Sequence, residues 1–257
     1  MDLELEDKVI AITGGTDGLG LALAQRLAAE GAAVAVCGRD PDRLAAAEAS
    51  VVAQRGGSVL AVAADVSVAA DVERFVQAVA DRWGRIDGIV HNAGRSAAGS
   101  LDALDDEAWA ADLELKLMGA VRLTRCALDH LRRSRGSVLF TLAMAAKAPG
   151  GSSEPSSVSR AAGMALMKAL SKELAPGGIR VNALLIGLME SGQWVSAAAR
   201  AGVELAEFYE RLSAGIPLGR VGRAEEYADV AAFLLSARAS YLTGCAINID
   251  GGLSPVA

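Results

Sequence analysis

The chain has 257 residues, of which 52% are apolar, and its 31 acidic side chains outnumber its 25 basic ones to leave a net charge of −6. A chain of this length and apolar content can bury a large core, so intrinsic disorder is excluded. The acidic balance argues against nucleic acid or an anionic membrane surface as a partner, because both require a cationic face.

The sequence predicts no membrane span and no targeting segment. No stretch longer than eleven residues lacks Asp, Glu, Lys and Arg, whereas a membrane-spanning helix needs about 20 apolar residues. The first eight residues contain four acids, so a secretory signal is not predicted. We therefore expect a cytoplasmic protein. With two histidines and three widely separated cysteines, we expect no metal site.

In chain order, seven short apolar runs rich in Val and Ile are too short for helices and lack strict alternation, which is typical of strands buried on both faces. These predicted strands are Val9–Thr13, Val34–Cys37, Val59–Ala63, Ile86–His91, Val138–Thr141, Ile179–Ile186 and Ala246–Ile249. Apolar residues at three- and four-residue spacing predict helices over Gly20–Glu30, Pro41–Arg55, Val68–Trp83, Asp105–Arg132, Ser157–Ala175 and Ala224–Leu235. This alternation predicts a doubly wound α/β fold of the Rossmann type, with about seven parallel strands and helices on both faces.

Two longer segments interrupt the alternation. Residues 149–157 are predicted to be loop, and residues at about 188–218 form a long insertion between the sixth strand and the last helix. Long insertions at the carboxyl edge of such a sheet usually cover a ligand. Because the sequence contains no linker, repeat or low-complexity block, we expect a single domain over residues 1–257.

The first predicted strand leads into a segment with Gly14, Gly18 and Gly20, and an amphipathic helix follows. Glycines here allow a tight turn and a close approach to a pyrophosphate, while the N-terminus of the helix offers free N–H groups to the phosphates. A plain tight turn is the alternative. The position between the first strand and the first helix favours a dinucleotide site.

The end of the second strand indicates which dinucleotide binds. NAD sites carry an acid about 20 residues after the glycines that holds the ribose 2′-hydroxyl and repels a 2′-phosphate. Here Gly38 occupies that place and Arg39 follows, which favours NADP(H), with NAD as the alternative. Arg39 as a plain surface residue remains an open interpretation, and Asp17 nearby disfavours an additional phosphate.

With these motifs, the chain resembles the short-chain dehydrogenase/reductase family along essentially its whole length. Thr13 to Gly20 match the family's TGxxxGxG pattern, and further motifs follow in the family's order: Asp65-Val66, His91-Asn92-Ala93-Gly94, Ile179-Arg180-Val181-Asn182 and Asp250-Gly251-Gly252. The resemblance implies cofactor contacts from Gly14, Thr16, Asp17, Gly18, Leu19, Gly20, Arg39, Asp65, Val66, Asn92, Ala93, Gly94, Arg160, Gly187, Leu188 and Ser191. It also implies a homodimer or homotetramer built from the two long helices and the C-terminal strand.

The catalytic positions depart from the family's Asn, Ser, Tyr and Lys set. In the frame of the family's Tyr-x-x-x-Lys motif the chain has Ser156 and Arg160, while the family's serine aligns with Ala143 and its asparagine with Lys116. A serine hydroxyl is far less acidic than a phenol, whose pKa is about 10, and arginine effectively never releases its proton. Ser156 therefore cannot replace the tyrosine by itself, whereas Arg160 can still bind the nicotinamide ribose.

Lys116 is the predicted substitute for the missing acid, with Ser156 and Arg160 as the other catalytic candidates. A lysine in a helix rich in Leu, Met, Ala and Val, at a position that lines the family's active site, is expected to point inward, where burial lowers its pKa. The alternative is a side chain that reaches solvent or pairs with Asp112 or Glu114.

Three functions fit this sequence. The first, which we favour, is an NADP(H)-dependent oxidoreductase with a rebuilt acid/base set that acts on a small-molecule carbonyl, alkene or imine. The second is a catalytically inactive dinucleotide-binding homologue that serves as a partner subunit or sensor. The third is a non-redox isomerase, cyclase or dehydratase on the same scaffold.

Overall fold

The computed structural model describes residues 1–54 and 58–256. Its strands are β1 (Val9–Thr13), β2 (Ala33–Gly38), β3 (Val59–Ala63), β4 (Gly88–His91), β5 (Ser137–Ala143), β6 (Arg180–Ile186) and β7 (Ala246–Ile249). They form one sheet in the order β3-β2-β1-β4-β5-β6-β7, and every neighbouring pair is parallel. The predicted doubly wound α/β fold is confirmed.

Helices connect the strands and cover both faces of the sheet. In the described part of the chain they are α1 (Gly18–Ala29), α2 (Pro41–Val52), α3 (Ala69–Trp83), α4 (Asp106–Leu113), α5 (Gly119–Ser134), α6 (Ser156–Leu174), α7 (Gly192–Ala201), α8 (Leu205–Ser213) and α9 (Ala224–Leu235). The predicted insertion contains α7 and α8. No helix among these residues combines the length and the apolarity that crossing a bilayer requires.

Each strand contributes side chains to two hydrophobic cores, because successive residues of a strand point to opposite faces. Along β1, Val9 and Ala11 belong to one core, and Ile10 and Ile12 belong to the other. The first core packs under α3, α5 and α6, and the second under α1, α2 and α9. Burial on both faces explains why these strands read as continuous apolar runs.

The order of the strands positions the functional site. Strand β1 has β2 on one side and β4 on the other, so the direction of winding reverses between β1 and β4. In open parallel sheets of this kind, ligands bind in the crevice outside the carboxyl ends of the strands at such a reversal. The loops after β1 and β4 therefore form the centre of the site.

The prediction of one continuous helix over Asp105–Arg132 is wrong. A π-helical turn, Glu114–Met118, separates α4 from α5. Such a turn adds one residue to the helix and rotates the side chains that follow, and it is found most often at functional sites. Its middle residue, Lys116, is buried.

Other boundaries differ from the predictions by a few residues. Helix α1 begins two residues early, at Gly18, because Asp17 accepts a hydrogen bond from its N–H and caps it there. Helix α2 ends at Val52, where a tighter turn follows, with Gln54 N donating to Val51 O. Its predicted last residue, Arg55, lies outside the described residues.

Candidate functional site

A cleft of about 1100 Å³ opens at the carboxyl edge of the sheet, lined by segments that follow β1 to β6. Lining residues within 14–43 and 64–67 form what we call the dinucleotide half, because they include the glycine segment and the ends of β2 and β3. Lining residues within 92–194 form the catalytic half. Most of the residues predicted from the sequence, including Lys116, Ser156 and Arg160, line this one cleft.

The glycine segment depends on its glycines for backbone geometry. Gly14 and Gly18 have φ angles of +65° and +50°, in the left-handed region that disfavours side chains. A Cβ atom on Gly14 would lie 2.9 Å from Ala93 Cα, so the loop after β1 packs directly on the loop after β4. The first turn of α1 has N–H groups without intrahelical partners, and Gly18 and Leu19 bring it to the wall of the cleft.

Asn92 and Gly20 shape this loop. Asn92 Nδ2 donates to Thr13 O at 3.0 Å and to Gly14 O at 2.9 Å, and so ties the end of β4 to the glycine segment. Gly20, a predicted cofactor contact, does not line the cleft. A Cβ atom there would lie 2.3 Å from Gly14 O. Its lack of a side chain therefore serves the packing of α1 against the loop.

Two arginines line the far end of the dinucleotide half, and both are mostly exposed. Arg39 Nη1 lies 3.7 Å from Asp65 Oδ2, and Arg43 Nη1 lies 3.5 Å from Asp17 Oδ2. The negative charge of Asp17 disfavours an additional phosphate, and the ion pair with Arg43 partly balances that charge. Arg43 was missed, because its place in the lining depends on where α2 begins, after its cap at Asp40.

Asp65 is held in its ionised form. Its Oδ1 accepts hydrogen bonds from Ser67 N at 2.9 Å and from Ser67 Oγ at 2.6 Å. Burial opposes ionisation, but these hydrogen bonds and the charge of Arg39 outweigh it and lower the pKa of the carboxyl. Asp65 and Val66, both predicted cofactor contacts, line the dinucleotide half.

The segment after β6 presents alternate residues to the cleft. Gly187, Met189 and Ser191 line it, whereas Leu188, a predicted contact, does not. Leu188 O accepts a hydrogen bond from Gly222 N at 3.0 Å, which ties this segment to the one at Gly222, and the backbone bends at Leu188. Ser191 Oγ is buried and has no hydrogen-bond partner among residues 1–54 and 58–256.

Lys116 points into the protein from the π-turn. Its side chain is 2% exposed and forms an ion pair with Asp112, whose side chain is 1% exposed. Ser159 Oγ donates to the other carboxylate oxygen at 2.6 Å. Burial lowers the pKa of the Lys116 ammonium, Asp112 opposes this effect, and the charges of Arg160 and Arg95 add to it. The sequence posed burial and pairing with Asp112 as alternatives, and the structure shows both.

Ser156 is the first residue of α6 and lines the cleft beside Lys116. Its Oγ accepts two hydrogen bonds, from Lys116 Nζ at 2.8 Å and from Ala97 N at 2.9 Å. A hydroxyl oxygen has two lone pairs, so both are occupied and the hydroxyl proton is left to donate. Within the part of the chain that the structure describes, no group accepts that proton from Ser156.

Arg160 lies one turn further along α6. Its Nη1 donates to Thr141 O at 2.7 Å. A Cβ atom on Gly94 would lie 2.7 Å from Arg160 Nη2, so the glycine allows the loop after β4 to pass close to the guanidinium. Burial lowers the pKa of Arg160, yet an arginine stays charged in proteins. Ala143 also lines the cleft and offers no polar side-chain group.

The insertion covers part of the cleft. Trp194 of α7 lines it and packs on Phe208 of α8, with ring centroids 6.1 Å apart. A Cβ atom on Gly192 would lie 2.6 Å from Asp17 Oδ2, so α7 begins in close contact with the glycine segment. Tyr209 does not line the cleft, and burial raises the pKa of its phenol.

Comparison with known proteins identifies relatives along the whole chain. The family model described as enoyl-(acyl carrier protein) reductase matches residues 14–254. A candidate ketoacyl reductase of the monensin polyketide synthase from Streptomyces virginiae is 37% identical over 256 residues, which cover 96% of this chain and 97% of that protein.

Solved structures superpose closely on this fold. L-Sorbose reductase from Gluconobacter frateurii, in complex with NADPH and L-sorbose, has a TM-score of 0.97 and 32% identity over 100% of both chains. An NADPH-bound short-chain oxidoreductase from Pseudomonas aeruginosa PAO1, described as containing an atypical catalytic centre, has a TM-score of 0.92 and 35% identity over 98% of this chain and 100% of that chain.

Proposed function

This chain belongs to the short-chain dehydrogenase/reductase family, and from that premise we propose that it is an NADP(H)-dependent oxidoreductase with a rebuilt proton-donating site. Its substrate is a small molecule with a reducible carbonyl, alkene or imine, and the reductases among its relatives favour the carbonyl. One observation carries the proposal: the hydrogen bond of 2.8 Å from Lys116 Nζ to Ser156 Oγ in the wall of the cleft.

The residues of the dinucleotide half fit NADP(H). Gly14 and Gly18 keep the wall of the cleft free of side chains where the first turn of α1 can bind a pyrophosphate. Arg39 and Arg43 offer guanidinium groups to a 2′-phosphate. The unpartnered Ser191 Oγ provides a hydrogen-bonding group for the nicotinamide end. Two solved relatives bind NADPH.

The catalytic half lacks the proton donor that the family uses. Ser156 and Arg160 stand in the frame of its tyrosine and lysine, Ala143 in that of its serine and Lys116 in that of its asparagine. In their place, the cleft has a hydroxyl backed by a buried ammonium. This substitution makes the chain an atypical member, and the P. aeruginosa oxidoreductase is a relative described in similar terms.

The reaction that we propose divides the chemistry between cofactor and protein. NADPH, when bound, supplies a hydride to the substrate carbon. Ser156 donates its hydroxyl proton to the substrate oxygen, where negative charge develops, and Lys116 Nζ returns a proton to Ser156 Oγ in the same movement. A free serine alkoxide is thereby avoided. Burial makes the Lys116 ammonium a stronger acid than an ordinary lysine, and solvent restores its proton after turnover.

Arg160 has a binding role in this scheme. Within residues 1–54 and 58–256, the hydrogen bond of Nη1 to Thr141 O occupies one of its donors, and the others are open to the nicotinamide ribose. Its charge also disfavours the protonated form of Lys116, which assists release of the proton.

The test is consumption of NADPH with a panel of ketones, enones and imines, run beside a titration of cofactor binding. We expect reduction of at least one carbonyl, and we expect Ser156→Ala to lower the rate by roughly a hundredfold, the usual effect of losing a proton donor. Ser240→Ala, which removes an exposed hydroxyl outside the cleft, is the matched control.

An inactive homologue gives a different result. It binds NADPH but oxidises it with none of the ketones, enones and imines in the panel. It gains activity only in the triple variant Ala143→Ser, Ser156→Tyr and Arg160→Lys, which restores the family's residues at those positions. That outcome would replace the oxidoreductase proposal with a role as a partner subunit or sensor.

A further inference from the structure

Three cationic side chains line the catalytic half of the cleft: Arg95, Lys116 and Arg160. The charge of Lys116 is balanced by the buried carboxylate of Asp112. Arg160 donates to a neutral carbonyl oxygen, and Arg95 has no hydrogen bond or ion pair to any residue of 1–54 and 58–256. Asp112 also acts on Arg160, whose pKa its charge raises, so three cations stand against one buried carboxylate.

The acids that line the cleft do not neutralise this region. Three of them, Asp17, Asp40 and Asp65, belong to the dinucleotide half. The fourth, Glu114, is held by Arg122, whose Nη2 lies 2.6 Å from one carboxylate oxygen and 3.2 Å from the other. The catalytic half thus has a net positive charge.

Arg95 is placed to use that charge. It directly follows Gly94, whose backbone passes beside the Arg160 guanidinium, and Ser96 and Ser153 line the same half of the cleft. The field of Arg95 also reaches Lys116, because its charge contributes to the lowered pKa of that ammonium. Arg95 is exposed and lines the same cleft as Lys116 and Arg160, so its guanidinium is free to meet a ligand there.

We propose that the substrate carries a carboxylate close to its reacting carbon and that Arg95 binds this carboxylate. The planar guanidinium matches a carboxylate through two parallel hydrogen bonds, and the neighbouring positive charges strengthen the attraction. The inference rests on the proposed function and specifies its substrate class as a small oxo acid. It assigns Arg95, which the family motifs do not include, as the residue that determines specificity.

The first experiment compares two ketones in NADPH-consuming turnover: phenylglyoxylate, which has a carboxylate beside the ketone, and methyl phenylglyoxylate, in which a neutral ester replaces it. We expect a higher kcat/KM for the anion, and we expect Arg95→Gln to reduce that preference by about tenfold, mainly through KM, as for an exposed charged hydrogen bond. Arg82→Gln, at an exposed arginine of α3 outside the cleft, is the matched control and leaves the preference unchanged.

The second experiment measures binding without turnover. Mandelate, its neutral amide and phenyl phosphate are titrated by calorimetry into the protein saturated with NADP⁺. We expect mandelate to bind at least about tenfold more tightly than the amide, and this difference to disappear in Arg95→Gln. Equal binding of mandelate and amide, or an undiminished difference in Arg95→Gln, overturns the proposal. A preference for phenyl phosphate over mandelate overturns the assignment of a carboxylate.

The two experiments separate this inference from the oxidoreductase proposal. Mandelate binding that depends on Arg95, with no reduction of any ketone, supports the carboxylate site and contradicts the proposed reaction. Equal reduction of both ketones, unaffected by Arg95→Gln, supports the reaction and contradicts the carboxylate site.

Discussion

The two halves of the cleft are built in different ways. The dinucleotide half relies on its backbone: glycines with positive φ, the first turn of α1, whose N–H groups have no intrahelical partners, and the short loops that follow the strands. The catalytic half uses side chains that reach one another from three segments, since Lys116 meets both Asp112 of α4 and Ser156 of α6, and Ser156 also accepts from the backbone N–H of Ala97.

This difference has consequences for how each half tolerates change. A backbone site is lost when a side chain fills its space, but it does not depend on the protonation of any residue. A side-chain network can exchange its members during evolution while the scaffold stays the same, and it then depends on burial and on pH. Variants in each half should therefore fail in different ways.

The largest expected effect is in the dinucleotide half. Gly18→Val should remove measurable NADPH binding in a calorimetric titration, because a branched side chain is strained at a φ of +50° and protrudes from the wall of the cleft. Gly150→Val, in an exposed loop with nothing within 4 Å of the added Cβ, is the control. Undiminished NADPH binding by Gly18→Val, with a normal thermal unfolding transition, would mean that this loop is not the cofactor site.

The next effect concerns the acid of the catalytic half. Lys116→Met keeps the apolar stem and removes the charge, so it should lower turnover by roughly a hundredfold or more while NADPH affinity changes little. Lys172→Met, on the exposed end of α6, is the matched control. Normal turnover by Lys116→Met would remove Lys116 from the mechanism.

A smaller and more specific effect is expected at Asp112. Asp112→Asn removes the partner that holds a proton on Lys116, so the pKa of Lys116, already lowered by burial, should fall further. Reduction requires the ammonium form, and its rate falls as pH rises through that pKa. The alkaline limb of the kcat profile should therefore move to lower pH.

Stability separates this effect from a purely structural one. Leaving the buried ammonium without its carboxylate should cost about 3 kcal/mol in the free energy of unfolding, measured by denaturant titration. Ser159→Ala, which removes only the hydrogen bond to Asp112, should shift the limb less. If Asp112→Asn lowers the stability but leaves the pH profile of kcat unchanged, Asp112 has only a structural role.

The smallest expected effect distinguishes NADPH from NADH. Arg39→Ala should weaken the preference for NADPH by about 1.5 kcal/mol, roughly tenfold. This value is at the low end of the range for a charged hydrogen bond, because the side chain of Arg39 is 70% exposed. Arg43→Ala in addition should weaken it further, since both arginines line the same end of the cleft. Equal affinity of the parent protein for NADPH and NADH contradicts both expectations.

The sequence by itself determined the features that are local or periodic. The apolar runs predicted all seven strands, and Gly14, Gly18 and Gly38 indicated a dinucleotide site, because a tight turn and an absent carboxylate are properties of a few neighbouring residues. Lys116, Ser156 and Arg160 were grouped by the resemblance to the family, since each stands at a catalytic position in the family's frame.

Only the tertiary structure decided how that group is connected. The π-turn at Glu114–Met118 has no signal in the apolar spacing, and Lys116 is its buried middle residue. The contact between Lys116 and Ser156 joins residues 40 positions apart. Leu188 O accepts a hydrogen bond from Gly222 N, in a distant segment, and the local pattern does not show that pairing. Sequence patterns record the period of a strand or helix, whereas the partner of a buried side chain is set by which segments the fold brings together.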